Sequence, residues 1–136
     1  MKKVLLRAPL LSMSGYGVHS RQIFQFCESQ KDWNISTQIL GWGITPWCVS
    51  GEFEDGIYER IMNKSCAGNE RYDITIQVQL PNEWDTSIGN FNIGVTAGVE
   101  TDRCSTEWAT KHREKMDLII VPSFHTKMGF QMSSTR

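Results

Sequence analysis

The chain has 136 residues, a length for one domain, and a formal net charge of -1. A composition of 40% hydrophobic, 21% charged and 10% aromatic residues is that of a globular protein and excludes a disordered or fibrous chain. The balanced charge excludes a broad electrostatic footprint for nucleic acid or an anionic membrane, and no apolar run approaches the ~20 residues that a transmembrane helix needs.

Residues 3–10 (KVLLRAPL) form a short apolar run closed by Pro9 and a Ser/Gly loop, and read as the first strand. Arg7 interrupts Val4-Leu5-Leu6 too early for a signal-peptide core, so a cytoplasmic protein with free thiols at Cys27, Cys48, Cys66 and Cys104 is expected. Residues 18–30 read as a helix entered from Gly17, with Ile23, Phe26, Cys27 and Gln30 at three-and-four spacing. Residues 36–42 are a second strand. Phe53, Ile57 and Ile61 recur every four residues and predict a helix over 52–63. Residues 72–80 form a third strand, with Ile74, Ile76, Val78 and Leu80 to one side; residues 91–99 form a fourth. Trp108, His112 and Met116 share a helix over 105–116, residues 117–121 are a fifth strand closed by Pro122, and Ser123 N-caps a last short helix before a frayed end.

Strands alternating with helices imply right-handed βαβ units. The expectation is an α/β, Rossmann-like three-layer sandwich whose parallel sheet has about five strands in order 3-2-1-4-5. The topological switch then falls between the first and fourth strands, where ligands bind outside the strand C-termini. Loops 11–17 and 100–104 border that crevice.

Three constellations carry chemistry. In Ser12-Met13-Ser14-Gly15-Tyr16-Gly17-Val18-His19-Ser20-Arg21 the glycines let backbone approach a ligand, and a helix N-terminus offers N–H groups to a phosphate. A simple strand-to-helix turn explains the spacing equally well. The dinucleotide fingerprint fails, because His19 and Ser20 stand where glycine belongs and Leu40-Gly41-Trp42 brings no acid. After the fourth strand, Glu100 is placed to orient or deprotonate a hydroxyl, while Asp102 fits helix capping better. Trp42, Trp47 and Trp84 leave strands two and three where indole faces can stack on sugar C–H faces, or simply pack under loops. His19 and His125 lie near strand C-termini, but no His/Cys spacing matches a metal site.

Ser14-Gly-Tyr-Gly-Val-His-Ser-Arg21, Glu100-Thr-Asp102 with Trp108, and Asp117-Leu-Ile-Ile-Val-Pro-Ser123 with Phe130 together resemble the N-terminal domain of GT-B glycosyltransferases of family 4, retaining enzymes that use nucleotide-sugars. The resemblance spans nearly the whole chain. It implies two facing Rossmann-like domains, with this chain as the acceptor side and the donor-binding domain missing. It lays Gly15, Tyr16 and Gly17 against the donor phosphates; the candidate catalytic carboxylate is Glu100, and the candidate acceptor-cleft residues are His19, Arg21, Trp84, Thr101, Asp102, Ser123 and His125. No cofactor or metal is implied beyond the nucleotide-sugar as co-substrate. The implied partners are a sugar or glycan acceptor, the donor domain, and a second copy through the exposed cleft face. Many relatives carry a histidine where Glu100-Thr101 stands, so that donor-sugar contact does not carry over. Without catalysis, the same residues would make a free-standing ligand-binding or interaction module.

Overall fold

The computed structural model describes residues 1–48, 56–66, 70–80, 83–96, 116–121 and 127. In chain order these hold β1 (Lys2–Ala8), α1 (Gly15–Glu28), β2 (Trp33–Ile39), α2 (Ile57–Asn63), β3 (Tyr72–Val78), β4 (Gly89–Val95) and β5 (Leu118–Ile120). All five strands are parallel, so the α/β Rossmann-like class expected from the alternation is the observed one. The helices predicted over 105–116 and after Ser123 fall almost wholly outside the described residues. Of the first only Met116 is described, and it lies buried outside any helix.

The strand order is β2-β1-β3-β4-β5, which corrects the expected 3-2-1-4-5. The place outside β2 is taken by a single parallel bridge between Thr37 and Ser65. The Thr37 amide donates to the Lys64 carbonyl and the Cys66 amide donates to the Thr37 carbonyl, each at 2.9 Å. Counting that bridge as a strand restores the doubly wound order 3-2-1-4-5-6. One bridge carries no periodicity, so sequence reading passes over it and numbers every later strand one too low. The switch therefore falls between β1 and β3, and the segment after β3 borders it; the loop at 100–104 lies outside the described residues.

Local chemistry sets the boundaries. Ser14 N-caps α1, its hydroxyl accepting from the Gly17 amide at 3.1 Å, so the helix starts at Gly15 and not at Val18. β2 runs three residues earlier than predicted because its ladder with β1 ends at Ala8 and Ile39. Pro9 has no amide hydrogen to extend it, and Ala8 O instead accepts from both Leu10 and Leu40.

The two faces of the sheet differ in kind. Val4, Leu6, Ala8, Ile35, Ile76 and Val78 meet Phe24 and Cys27 of α1 and Ile57, Tyr58 and Ile61 of α2 in one apolar cluster. Each fully buried aliphatic or aromatic side chain there contributes roughly 1.5–3 kcal/mol. Phe26, expected on this face, is 58% exposed and packs edge-on to Trp33; the buried stripe of α1 is Gly17, Ser20, Arg21, Phe24 and Cys27. The opposite face carries Arg7, Gln38, Thr75, Gln77, Asn92 and Gly94. Among the described residues its cover is the crossover from β3 to β4, residues 79–88, which includes no α-helix among those described. The Gln77 amide pairs both ways with the Asp85 backbone, at 2.6 and 2.7 Å, and Thr75 donates to Asn92 Oδ1 at 2.6 Å. Trp84 lies against Gly94, where any β-carbon would stand 2.6 Å from the ring.

Candidate functional site

The C-terminal ends of β1, β2 and β3 enclose a hollow of about 240 Å³. Its chemistry comes from Arg7 on β1, Trp42 after β2, and Gln79 and Glu83 after β3, with Leu40 and Gly41 completing the wall. It lies at the switch point, where an open α/β sheet binds its ligand. Arg7 Nη1 reaches Gln79 Oε1 and the Glu83 carbonyl only at 3.4 Å, the weak end of hydrogen bonding. Glu83 closes a turn, its carboxylate accepting from the Leu80 amide at 3.2 Å. An indole face, a guanidinium, an amide and a carboxylate around one hollow suit a polar ligand that also has an apolar face.

Tyr16 roofs the same end of the sheet. Its ring stacks on Trp42 with centroids 4.2 Å apart, and its hydroxyl shares a 3.2 Å hydrogen bond with Thr96 beyond β4. The tip at 44–48 folds back on the loop after β1: the Met13 amide donates to the Pro46 carbonyl and the Cys48 amide to the Leu11 carbonyl. Met13, Ile44 and Trp47 are left exposed beside it.

The structure separates the predicted site residues. Gly17 is buried, and a β-carbon on it would collide with the Ser12 carbonyl oxygen; its amide is already taken by Ser14. Its role is close packing of helix on loop. Gly15 is exposed with open space around it. Arg21 is 5% exposed and holds the loop after β1, donating to the carbonyls of Leu10 at 3.0 Å and Ser12 at 2.9 Å while it lies over the Tyr58 ring. Trp84 is 7% exposed under the crossover and away from the hollow's lining. His19 is exposed on α1. Glu100, Thr101, Asp102, Ser123 and His125 lie outside the described residues. Of the three tryptophans, Trp42 alone lines the hollow.

Arg7, Gln79 and Glu83 were missed. The signal for Arg7 was visible: a charge inside VLLRAPL has to reach something across the sheet. Cys27 and Tyr72 are held in their protonated forms. Burial pushes the Cys27 thiol up to about 12, and burial with Cys66 beside it pushes the Tyr72 phenol up to about 12. Among the described residues no group of His, Cys, Asp and Glu is placed to hold a metal ion, and no helix is long and apolar enough to cross a membrane. Cys27, Cys48 and Cys66 are free thiols. Compared with known proteins, the chain matches no family model, no curated sequence and no solved structure.

Proposed function

We propose that this chain forms the acceptor side of a nucleotide-sugar-dependent glycosyltransferase. The hollow at the switch point supports the reading best. Its indole stacks on the C–H face of a sugar, and Arg7, Gln79 and Glu83 hold hydroxyls around the ring edge. The N-terminus of α1 opens toward the same end of the sheet, where an opposing domain would present the donor's pyrophosphate. Ser14 caps that terminus through the Gly17 amide. In this reading the chain's contribution to transfer is orientation: one acceptor hydroxyl is fixed against the donor carbon in a cleft that excludes water. Glu100 is the carboxylate proposed to assist that hydroxyl. The donor nucleotide-sugar is held mainly by the second domain, so the 136-residue chain alone should turn over no nucleotide-sugar.

The test is saturation-transfer NMR on the 136-residue chain with neutral methyl glycosides. Binding that disappears in Trp42→Ala and persists in Trp47→Ala supports the reading. Tight binding of a nicotinamide or flavin cofactor, with no sugar bound, would overturn it.

A further inference from the structure

Trp42 is the one aromatic side chain in the lining of the hollow at the switch point. Arg7 also reaches a second hollow, of about 370 Å³, but Arg71, Glu70 and Asp85 mix charges of both signs there and no ring lines it. A ligand that stacks at the switch point therefore stacks on Trp42. The indole has little of its own to hold it. It stands on the segment after β2 between Gly41 and Gly43, and Gly43 is in the left-handed region at φ 56°. The Trp42 carbonyl accepts from the Thr45 amide at 3.0 Å, but the indole N–H donates to no described residue.

Tyr16 supplies what the indole lacks. The two rings are stacked, with centroids 4.2 Å apart and planes 22° from parallel. Tyr16 is itself held at both ends. Its backbone lies in the first turn of α1, which Ser14 caps, and its carbonyl accepts from the Ser20 hydroxyl at 2.5 Å. Its hydroxyl shares the 3.2 Å bond with Thr96, a residue 1% exposed whose amide donates to the Ile120 carbonyl on β5. A ring from α1, anchored on the far side of the sheet's switch point, thus backs an indole carried on a glycine-flanked segment. Tyr16 does not line the hollow. It takes one face of the indole and leaves the rest to the hollow. A binding group keeps its geometry when its own rotamer is fixed by packing from behind. A surface fixed before the ligand arrives also spares part of the ordering cost of binding.

We propose that Tyr16 is the positioning residue of the acceptor platform: it fixes the Trp42 indole for stacking on a sugar face and does not touch the sugar. This rests on the acceptor reading above. It gives Tyr16 a role different from the donor-phosphate contact implied by its place in the glycine loop.

The experiment measures methyl glucoside affinity by NMR titration of the 136-residue chain, with melting temperatures alongside. Tyr16→Leu keeps an apolar side chain and removes the ring, and Tyr16→Met is a second ringless variant. Each should weaken binding roughly 2- to 10-fold, the worth of one aromatic pair. The Trp42 indole N–H resonance, assigned by its loss in Trp42→Ala, should shift in both. Tyr16→Phe keeps the ring and should bind like the unaltered chain, with the loss of its Thr96 bond read only in the melting temperature. A merely structural tyrosine would lower the melting temperature in all three variants and leave the affinity of the folded chain unchanged. That result, with Trp42→Ala still abolishing binding, overturns the positioning role and leaves the acceptor reading standing. An unmoved Trp42 resonance in the ringless variants does the same. Binding by Tyr16→Phe as weak as by Tyr16→Leu would put the phenol hydroxyl on the sugar and also overturn the role. No methyl glucoside bound by the unaltered chain overturns the acceptor reading and this role with it.

Discussion

The two faces of this sheet are built from the same strands and held by opposite means. The face under α1 and α2 is mainly apolar, with Arg21 and Thr37 bonded to backbone carbonyls, and most of its stability comes from buried side chains. The face under the β3–β4 crossover is a polar lattice of Thr75, Gln77, Asn92 and Asp85, in which each group depends on its partner. Such a lattice is stable only while it is complete. It stops at Arg7 and Gln38, where Arg7 Nε and Gln38 Oε1 are buried with no hydrogen-bond partner among the described residues. The contrast teaches that, among the described residues, helix packing holds one face and side-chain hydrogen bonding holds the other.

Cutting into the apolar face should have the largest effect. Phe24→Ala empties a fully buried position and should cost ~3–5 kcal/mol in urea unfolding. A loss below ~1 kcal/mol would mean that α1 is not part of the main core.

Gln77→Ala breaks the lattice and should cost about 1–3 kcal/mol, because it strands the amide and carbonyl of Asp85. The comparison sharpens in hydrogen exchange. The amides of 83–88 should lose protection while those of α1 keep theirs. Equal losses in both would show that the two faces unfold as one unit.

The same two faces should fail at opposite ends of the pH scale. Cys27, on the helix-covered face, has its thiol raised from about 9 to about 12 by burial. The unfolded chain therefore loses that proton first, and stability present below pH 9 should fall as pH rises toward 12. Asp85, on the other face, titrates below its usual value near 3.8, because Ser87 bonds its ionised form. Its contribution is present above that value and is lost as pH falls through the lower, folded one. Cys27→Ala should flatten part of the alkaline slope, and Asp85→Asn part of the acid slope, in chemical unfolding followed across pH. Exchanged effects would contradict the assignment.

The smallest effect is expected at the first of the two glycines in the opening turn of α1. Gly15→Ala enters open space in the first turn of α1 and should change stability by no more than about 1 kcal/mol, in the stabilising direction. Gly17→Ala, two residues on, should lower the melting temperature sharply, because its methyl meets the Ser12 carbonyl. If Gly17→Ala were as mild as Gly15→Ala, helix and loop would not be in the close contact described.

By itself the sequence determined the parallel α/β class, the five strands and the first helix, because period-two and three-to-four apolar spacing record local backbone geometry. It also placed a tryptophan at the exit of β2. It did not determine which strand lies beside which. A single bridge at Ser65, with no pattern of its own, moved the switch point from β4 to β3. Nor could spacing reveal that Arg21 and Gly17 serve the loop packing, that Trp84 lies on Gly94, or that Arg7 reaches two hollows. Those roles depend on residues between 5 and 76 positions apart in the chain, and only the tertiary structure brings them into contact.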